Sequence, residues 1–150
     1  MSDARHERER PVGASDAQRQ TAPSSAASDA RAQLGRQGEA LAEKYLRDRG
    51  LKTLARRFAT PAGELDLVMR DGDTVVFVEV KALRSDTLIE PHEHWRRPQQ
   101  RRLAKAARWY LAQQGWQERP CRVDVVGVLL PPAGPPRIDH IPDAQPLDAR

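Results

Sequence analysis

The sequence predicts a single α/β domain in which a central mixed β-sheet is flanked by α-helices, in the order α-β-β-β-α-β. Three observations support this class. Two stretches with helical apolar spacing lie on either side of several short strand-like segments, a turn signal joins two of these strands into a hairpin, and the length of 150 residues suits one hydrophobic core. A disulfide scaffold is excluded because Cys121 is the only cysteine.

The first 28 residues predict a disordered arm, because large apolar side chains are almost absent from them. Residues 29–145 are expected to fold, and residues 146–150 to form a flexible end. The first helix is predicted to begin at Ser28 or Asp29 and to end at Gly50. Its apolar stripe, in which a glycine would permit close packing on the sheet, comprises Leu34, Gly38, Leu41, Ala42, Tyr45 and Leu46.

Three strands are predicted next, over residues 52–58, 64–69 and 74–82. Asp71-Gly72 is a strong hairpin signal between the second and third of them. If these two residues form the turn, Asp66 pairs with Phe77, and the charged side chains of both strands project from one face. The side chains on that face would be Glu64, Asp66, Glu79 and Lys81. A three-residue loop would instead separate the acids.

Charged side chains on such a strand face predict a site, because burying charge is costly unless it is paired or bound to a metal. The same register opposes Glu64 and Glu79 directly, and two carboxylates in contact repel each other. A divalent cation, or Lys81, would relieve that repulsion. The alternative, which the pattern supports about equally, is a surface-facing polar stripe in which Lys81 is a counter-ion.

Mg²⁺ or Mn²⁺ suits this face because both cations take oxygen ligands and keep several waters, so that two or three carboxylates are sufficient. Asp66 and Glu79 are the predicted ligands, with Glu64, or Glu39 from the first helix, completing or positioning the shell. Lys81 would orient a water or stabilise negative charge on a phosphodiester under attack. Glu39 lies at the edge of the helical stripe, and its position alone favours a solvated boundary residue.

Residues 98–114 predict a second helix, whose apolar face comprises Leu103, Ala107, Tyr110 and Leu111. A row of cations lies opposite that face, and no acid between His94 and Gln117 neutralises it. Such a row can follow a phosphate backbone; the alternative is a solvated helix face. The predicted nucleic-acid contacts are Arg97, Arg101, Arg102, Lys105 and Arg108.

The remaining segments are less informative. Residues 83–95 predict a polar loop, residues 122–130 a strand interrupted by Asp124, residues 131–136 a Pro-rich linker, and residues 138–141 a short edge strand. No apolar run approaches the ~18 residues that a membrane helix needs. We therefore expect a cytoplasmic protein without a membrane partner.

The charge distribution agrees with a polyanionic partner, most commonly nucleic acid. The net charge is +4 and the pI about 9.7, and the excess of cations is central: residues 31–130 hold nineteen Lys or Arg against thirteen Asp or Glu. On charge alone, a basic surface that maintains solubility is about equally well supported.

Two motifs of the chain resemble known nucleases. Asp66 followed by Glu79-Val80-Lys81 resembles the PD-(D/E)xK signature, in which a metal-binding Asp and an acid-x-Lys lie on adjacent strands. Gly38-Glu39 is similar to a helix of archaeal Holliday-junction resolvases, whose glutamate joins the metal site. A closer resemblance, over about residues 31–145, is to the YraN family of bacterial proteins. The segments that carry it are Gly35–Glu39, Ala42, Tyr45–Leu46, Gly63–Val68, Phe77–Lys81, Ala106–Ala107 and Arg122–Val126.

The resemblance implies a restriction-endonuclease-like core with a metal-dependent endonuclease site acting on DNA, and a homodimer as in junction-cutting relatives. The implied catalytic residues are Asp66, Glu79 and Lys81, and the implied ligands of Mg²⁺ or Mn²⁺ are Asp66, Glu79, Glu39 and Glu64. The chain differs from the usual family pattern at two places, and both differences reduce the positive charge around the site. Ala82-Leu83-Arg84 stands where the family usually has Thr-Arg after the lysine, and Gln99 stands where it usually has a lysine. A non-catalytic nucleic-acid-binding or scaffold protein on the same fold is the alternative.

Overall fold

The structure, a computed structural model, describes residues 25–84 and 97–147. Its elements are α1 (Ser25–Asp48), β1 (Lys52–Thr60), β2 (Gly63–Asp71), β3 (Thr74–Leu83), α2 (Arg97–Gln114), β4 (Cys121–Leu129) and β5 (Arg137–Gln145). The five strands form one sheet in the order β1-β2-β3-β4-β5. Neighbouring strands are antiparallel except β3 and β4, which are parallel. The predicted α/β class, the mixed sheet and the predicted order of elements are confirmed.

The two helices cover opposite faces of the sheet, because each belongs to a separate core cluster. The α1 cluster contains Ala42, Leu46, Leu51, Leu67, Met69, Val76, Val78, Val126 and Val128. The α2 cluster contains Leu65, Val68, Val75, Phe77, Leu103, Ala106, Ala107, Tyr110, Leu111, Val123 and Val125. The predicted apolar faces of both helices are therefore confirmed. No helix in the described part of the chain is long and apolar enough to cross a membrane.

Gly38 lies at a very close contact between α1 and the sheet. A Cβ atom built on Gly38 would lie only 2.5 Å from the Cβ of Ala82 on β3. That separation is too short for two carbon atoms, so the absence of a side chain is what lets the helix approach the strand. The predicted close packing at Gly38 is confirmed, and it brings the following residue, Glu39, to the sheet.

The ends of α1 agree only partly with the prediction. Gly50, with φ of +96°, follows the helix as expected. The helix begins at Ser25, so the predicted start at Ser28 or Asp29 is wrong by about one turn. Ala26 and Ala27 extend the helix because alanine has the highest helix propensity. The rest of the predicted arm, most of the predicted loop and the last predicted flexible residues lie outside the described residues, at positions 1–24, 85–96 and 148–150.

The hairpin between β2 and β3 turns at Gly72-Asp73 rather than at Asp71-Gly72. Val68, not Asp66, pairs with Phe77, so the predicted register is wrong by two residues. The glycine has φ of +58° and occupies the first central position of the turn, as in type II′, whereas the prediction placed it second, as in type I′. Because side chains alternate with a period of two, a shift of two residues does not by itself move a side chain to the other face.

At the other side of the sheet, β5 is longer than the predicted strand over residues 138–141. It continues past Pro142 through an irregularity at Asp143, whose φ is +52°. The backbone N–H of Asp143 donates to the carboxylate of Asp124 on β4 at 3.0 Å. A buried side chain therefore holds the irregularity that lets the edge strand continue.

Asp124 is fully buried and has several partners. Its Oδ2 lies 2.8 Å from Nε2 of His140, and the Nε of Arg122 donates to its Oδ1 at 3.0 Å. Burial alone would raise the pKa of Asp124, but hydrogen bonds from His140, the Asp143 N–H and Arg122 outweigh burial and lower it. Arg122 also contacts Asp71 at 3.0 Å. The acid that interrupts the apolar pattern of β4 thus connects β4 to β5, and Arg122 continues the network to Asp71 on β2.

Candidate functional site

The strands β2 and β3 separate where their charged residues begin. The regular ladder between them extends only to Leu67 and Val78. The next residues along the two strands are Asp66 and Glu79. The backbone N–H of Val80 donates to Oδ2 of Asp66 at 2.9 Å, so a side chain accepts a hydrogen bond that a strand carbonyl would otherwise accept.

The neighbouring strands β1 and β2 are both irregular at the level of Asp66. On β2, Leu65 packs in the α2 cluster and Leu67 in the α1 cluster, although residues two apart in a regular strand share a face. On β1, Arg57 lies opposite Asp66 in the register and has φ of +46°. The chain therefore rotates at this level, and Asp66 lines a pocket against α1.

This pocket has a volume of about 340 Å³ and lies between α1 and the ends of β2 and β3. Four of the predicted site residues line it: Glu39, Asp66, Glu79 and Lys81. The remaining wall consists of Arg31, Leu34, Gly35, Val80 and Ala82. The structure therefore brings the helix glutamate together with the charged residues of two strands, a placement that the helical spacing alone disfavoured for Glu39.

Asp66 ionises less readily than an ordinary aspartate. Burial, followed by the negative charge of Glu79, raises the pKa of Asp66 to about 8, against the opposing hydrogen bond from Val80. The charge of Glu39 and a hydrogen bond between the Asp66 and Glu79 carboxyl groups act in the same direction as burial. Two carboxyl groups this close cannot both ionise easily. A divalent cation between them would favour both ionised forms.

The other two acids of the pocket each contact a cation. Nζ of Lys81 lies 3.2 Å from Oε1 of Glu79, and Nε of Arg57 lies 2.8 Å from Oε2 of Glu39. Within residues 25–84 and 97–147, no three His, Cys, Asp or Glu side chains are arranged to hold a metal ion. Mg²⁺ and Mn²⁺ nevertheless fit this site, because such cations keep several waters and need only one or two carboxylates besides a substrate phosphate. Asp66 and Glu79 are the pair whose repulsion a cation would remove.

Glu64 lies in a different place from the other predicted ligands. It is exposed and lines a second pocket, of about 200 Å³, between the sheet and α2. Glu79 and Lys81 line both pockets, so they lie between the α1 side and the α2 side. The predicted direct pairing of Glu64 with Glu79 is wrong because the hairpin register is shifted by two residues.

The predicted nucleic-acid contacts lie along α2. Those with described side chains are exposed: Arg101, Arg102, Lys105 and Arg108. Arg97 is the first residue of α2, and its side chain lies outside the described part of the chain. Arg102 covers Gly63, since a Cβ built on that glycine would lie 3.1 Å from Cδ of Arg102. Arg102 and Gln99 also line the second pocket, which places one cation of α2 close to Lys81.

Arg57 is the site residue that the sequence did not reveal. Strand alternation places Arg56 and Arg57 on opposite faces, yet they contact Glu43 and Glu39 of α1, each at 2.8 Å. The positive φ of Arg57 lets both side chains reach the same helix. The available signal was indirect: two consecutive arginines in a strand, and two glutamates one helical turn apart.

Fold and site together define an α/β protein in which an aspartate, a glutamate and a lysine meet where two strands of a mixed sheet separate. The chain belongs to the Uncharacterised protein family UPF0102, whose model matches residues 38–128. This family includes the YraN proteins, so the resemblance seen in the sequence is confirmed. The matched region contains every predicted metal ligand and Lys81.

Curated relatives support the same assignment. A UPF0102 protein of Geotalea uraniireducens is 41% identical over 111 residues, which cover 74% of this chain and 87% of the relative. One from Stutzerimonas stutzeri is 47% identical over 98 residues, covering 65% and 82%. One from Pseudomonas aeruginosa is 46% identical over 112 residues, covering 73% and 90%.

Proposed function

We propose that this protein is a metal-dependent endonuclease that hydrolyses DNA phosphodiesters. The observation that carries the proposal is that Asp66, Glu79 and Lys81 line one pocket at the separated ends of two strands, with Lys81 3.2 Å from Glu79. Two carboxyl groups in one partly buried pocket cost folding free energy. Groups with pKa values shifted by burial and a like charge in a pocket are typical of functional sites.

The four predicted site residues that line the pocket between α1 and the ends of β2 and β3, the α1-side pocket, each have a role in this proposal. Asp66 and Glu79 would hold Mg²⁺ or Mn²⁺, with Glu39 joining from α1. When bound, the cation would activate a water and offset charge on a phosphodiester oxygen. Lys81, 3.2 Å from Glu79, would orient that water or stabilise the negative charge that develops. Glu64, in the neighbouring pocket, would position the site from the α2 side.

The exposed cations of α2 support a nucleic-acid substrate. Arg102 and Lys81 line the same pocket. A phosphate backbone that followed the cations of α2 would therefore pass close to Lys81.

Cleavage assays test the proposal. The protein would be incubated with single-stranded, duplex and branched DNA and with RNA, in Mg²⁺, Mn²⁺ or a chelator. We expect cleavage only with a divalent cation, and a loss of rate of at least about 100-fold in both Asp66→Ala and Lys81→Ala. Lys44→Ala is the control, because it removes only an exposed ion pair with Asp48, and it should cleave at the wild-type rate.

A binding assay tests the surface of α2. One triple variant would neutralise Arg101, Lys105 and Arg108. A control with the same change in net charge would neutralise three other exposed cations, Lys44, Arg47 and Lys52. Only the α2 variant should bind DNA more weakly and with a smaller dependence on salt. An equal loss in both variants would show that net charge, rather than α2, governs binding.

A second candidate function is nucleic-acid binding without catalysis. The observation that favours it is the exposed row of cations on α2, Arg101, Arg102, Lys105 and Arg108, which can bind a phosphate backbone without any chemistry at the strand ends. Salt-sensitive DNA binding that persists in Asp66→Ala and Lys81→Ala, with no cleavage of any substrate, would decide for this candidate.

A further inference from the structure

Arg57 has a backbone conformation that arginine rarely adopts. Its φ of +46° lies in the left-handed region, which is favourable for glycine and tolerated by asparagine and aspartate. Such strain persists only where surrounding interactions hold it, and it is concentrated at functional sites. The side chain of Arg57 forms an ion pair with Glu39, 2.8 Å away.

The neighbouring arginine provides an internal comparison. The Arg56–Glu43 pair has the same 2.8 Å separation, but it lies one helical turn away, and Glu43 also accepts a hydrogen bond from Thr53 at 2.7 Å. Arg57 instead faces the acids of the site. Its hydrogen bond with Glu39, and the negative charges around it, raise the pKa of Arg57.

Arg57 is connected to the α1-side pocket through Glu39, one of the residues that line the pocket. Arg57 contacts Glu39, and Lys81 contacts Glu79. Asp66 is the third acid. A divalent cation in the pocket would add two positive charges beside the guanidinium and would compete with it for Glu39.

We propose that Arg57 is a positioning residue that exchanges partners. It holds Glu39 while the pocket lacks a divalent cation, and it binds a phosphate of the nucleic acid once the cation takes Glu39. This inference rests on the proposed metal and nucleic-acid site. A guanidinium suits both partners, because its planar fork binds carboxylate and phosphate in the same way. The Arg57 side chain is 40% exposed, so a substrate can reach it.

The exchange has a thermodynamic consequence. If the cation releases Arg57 for the phosphate, the cation must tighten nucleic-acid binding, and nucleic acid must tighten cation binding by the same factor. In the absence of nucleic acid, Arg57 must weaken cation binding. Arg57 should thus weaken cation binding when nucleic acid is absent and couple the two ligands favourably when nucleic acid is bound. A purely structural ion pair does not predict both effects.

Three variants separate these effects. Arg57→Asn removes the positive charge of the guanidinium, and asparagine tolerates the positive φ at this position. Arg57→Lys keeps the charge without the planar fork. Arg56→Asn removes the matched ion pair one turn away. Mn²⁺ affinity would be measured on nucleic-acid-free protein by electron paramagnetic resonance, and duplex DNA affinity by fluorescence anisotropy, with Ca²⁺ or with a chelator.

We expect Arg57→Asn to bind Mn²⁺ about 3- to 10-fold more tightly than the wild type, because the competing charge is gone. Arg56→Asn should differ by less than about 2-fold. Ca²⁺ should increase the duplex affinity of the wild type and of Arg56→Asn, and increase that of Arg57→Asn several-fold less. Arg57→Lys should keep the wild-type Mn²⁺ affinity but lose part of the Ca²⁺ effect.

Two results would overturn the role of Arg57 and leave the proposed nuclease intact: equal Mn²⁺ affinities of the wild type and Arg57→Asn, or equal effects of Ca²⁺ on their duplex affinities. A wild-type protein that binds neither Mn²⁺ nor DNA would overturn the proposed function itself. Circular dichroism would check folding. If Arg57→Asn is unfolded, Arg57→Lys decides, since an undiminished Ca²⁺ effect in that variant contradicts phosphate binding by the fork.

Discussion

Asp66 and Asp124 are the same residue type in the same sheet, yet their surroundings shift their pKa values in opposite directions. On β4, Arg122 and His140 contact the buried Asp124, and its pKa is lowered. On β2, burial and the charge of Glu79 raise the pKa of Asp66 to about 8. A buried carboxylate that accepts hydrogen bonds from neighbouring donors stabilises the fold, whereas one beside other carboxylates destabilises it.

The difference shows that burial alone does not identify a functional acid. Asp124 is the more deeply buried of the two, and its contacts connect β4 with β5. Asp66 lies where the β2–β3 ladder ends, and its nearest acid is Glu79. The sign of the neighbouring charge therefore distinguishes the structural acid from the proposed metal ligand.

The same substitution at the two positions should have opposite effects, and the larger effect is expected at Asp124. Asp124→Asn leaves Arg122 without a buried anion and should lower the free energy of unfolding by roughly 3 kcal/mol. Urea unfolding at pH 7 measures this change. Because the pKa of Asp124 is lowered by folding, its stabilisation is present above the unfolded-state pKa and lost as pH falls through the folded-state pKa. The difference from the wild type should therefore shrink below about pH 4.

Asp66→Asn should instead stabilise the protein in the presence of a chelator, by roughly 1 to 3 kcal/mol at pH 8. The folded-state pKa of Asp66 is raised to about 8, so the folded protein retains a proton that the unfolded chain loses near pH 4. Its favourable contribution is complete below the unfolded-state pKa and is lost as pH rises through the folded-state pKa. The advantage of Asp66→Asn should thus be largest above pH 8 and small near pH 4.

Urea unfolding of Asp66→Asn across this pH range is the measurement. A variant that is less stable than the wild type at pH 8 would show that Asp66 is a structural acid like Asp124. The comparison between the two residues would then be wrong.

The smallest effect is expected at Asp71, the other acid that contacts Arg122. Its side chain is 48% exposed, and exposed ion pairs contribute little. Asp71→Asn should change the free energy of unfolding by less than about 1 kcal/mol. Comparing Asp71→Asn with Asp124→Asn tests why Asp124→Asn loses so much stability: because the anion is buried, or because Arg122 loses a charged partner. Equal losses in the two variants would contradict the first explanation.

The fold could be predicted from the sequence because the patterns that indicate helices and strands are local. Apolar stripes located both helices, and alternation located the central strands. The error in the hairpin arose because Asp71, Gly72 and Asp73 permit two turns that differ in the position of the glycine. A shift by an even number of residues does not by itself change the face of a side chain. The rotation of β2 near Asp66 does, and it places Glu64 in a different pocket from Asp66.

The candidate site was predictable only in part. Asp66, Glu79 and Lys81 stand out as charges within apolar strands, so their sequence context alone identified them. The contacts of Arg57 depend on a positive φ that no local signal indicates for arginine. Two partners of Asp124, His140 and Asp143, come from β5, and only the folded sheet brings them to it.

The contact between Gly38 and Ala82 also has a mechanical consequence. A helix behaves as a rigid rod that rises 1.5 Å per residue, and the buried Ala42 and Leu46 fix one part of α1 to the sheet. Gly38 is the point of closest contact between α1 and β3, and Arg31, Leu34 and Gly35, which precede it in the helix, line the pocket. A methyl group at position 38 would tilt this part of the helix away from the sheet, by a distance that increases toward Arg31. A larger residue at position 38 should therefore widen the pocket without changing any residue that lines it.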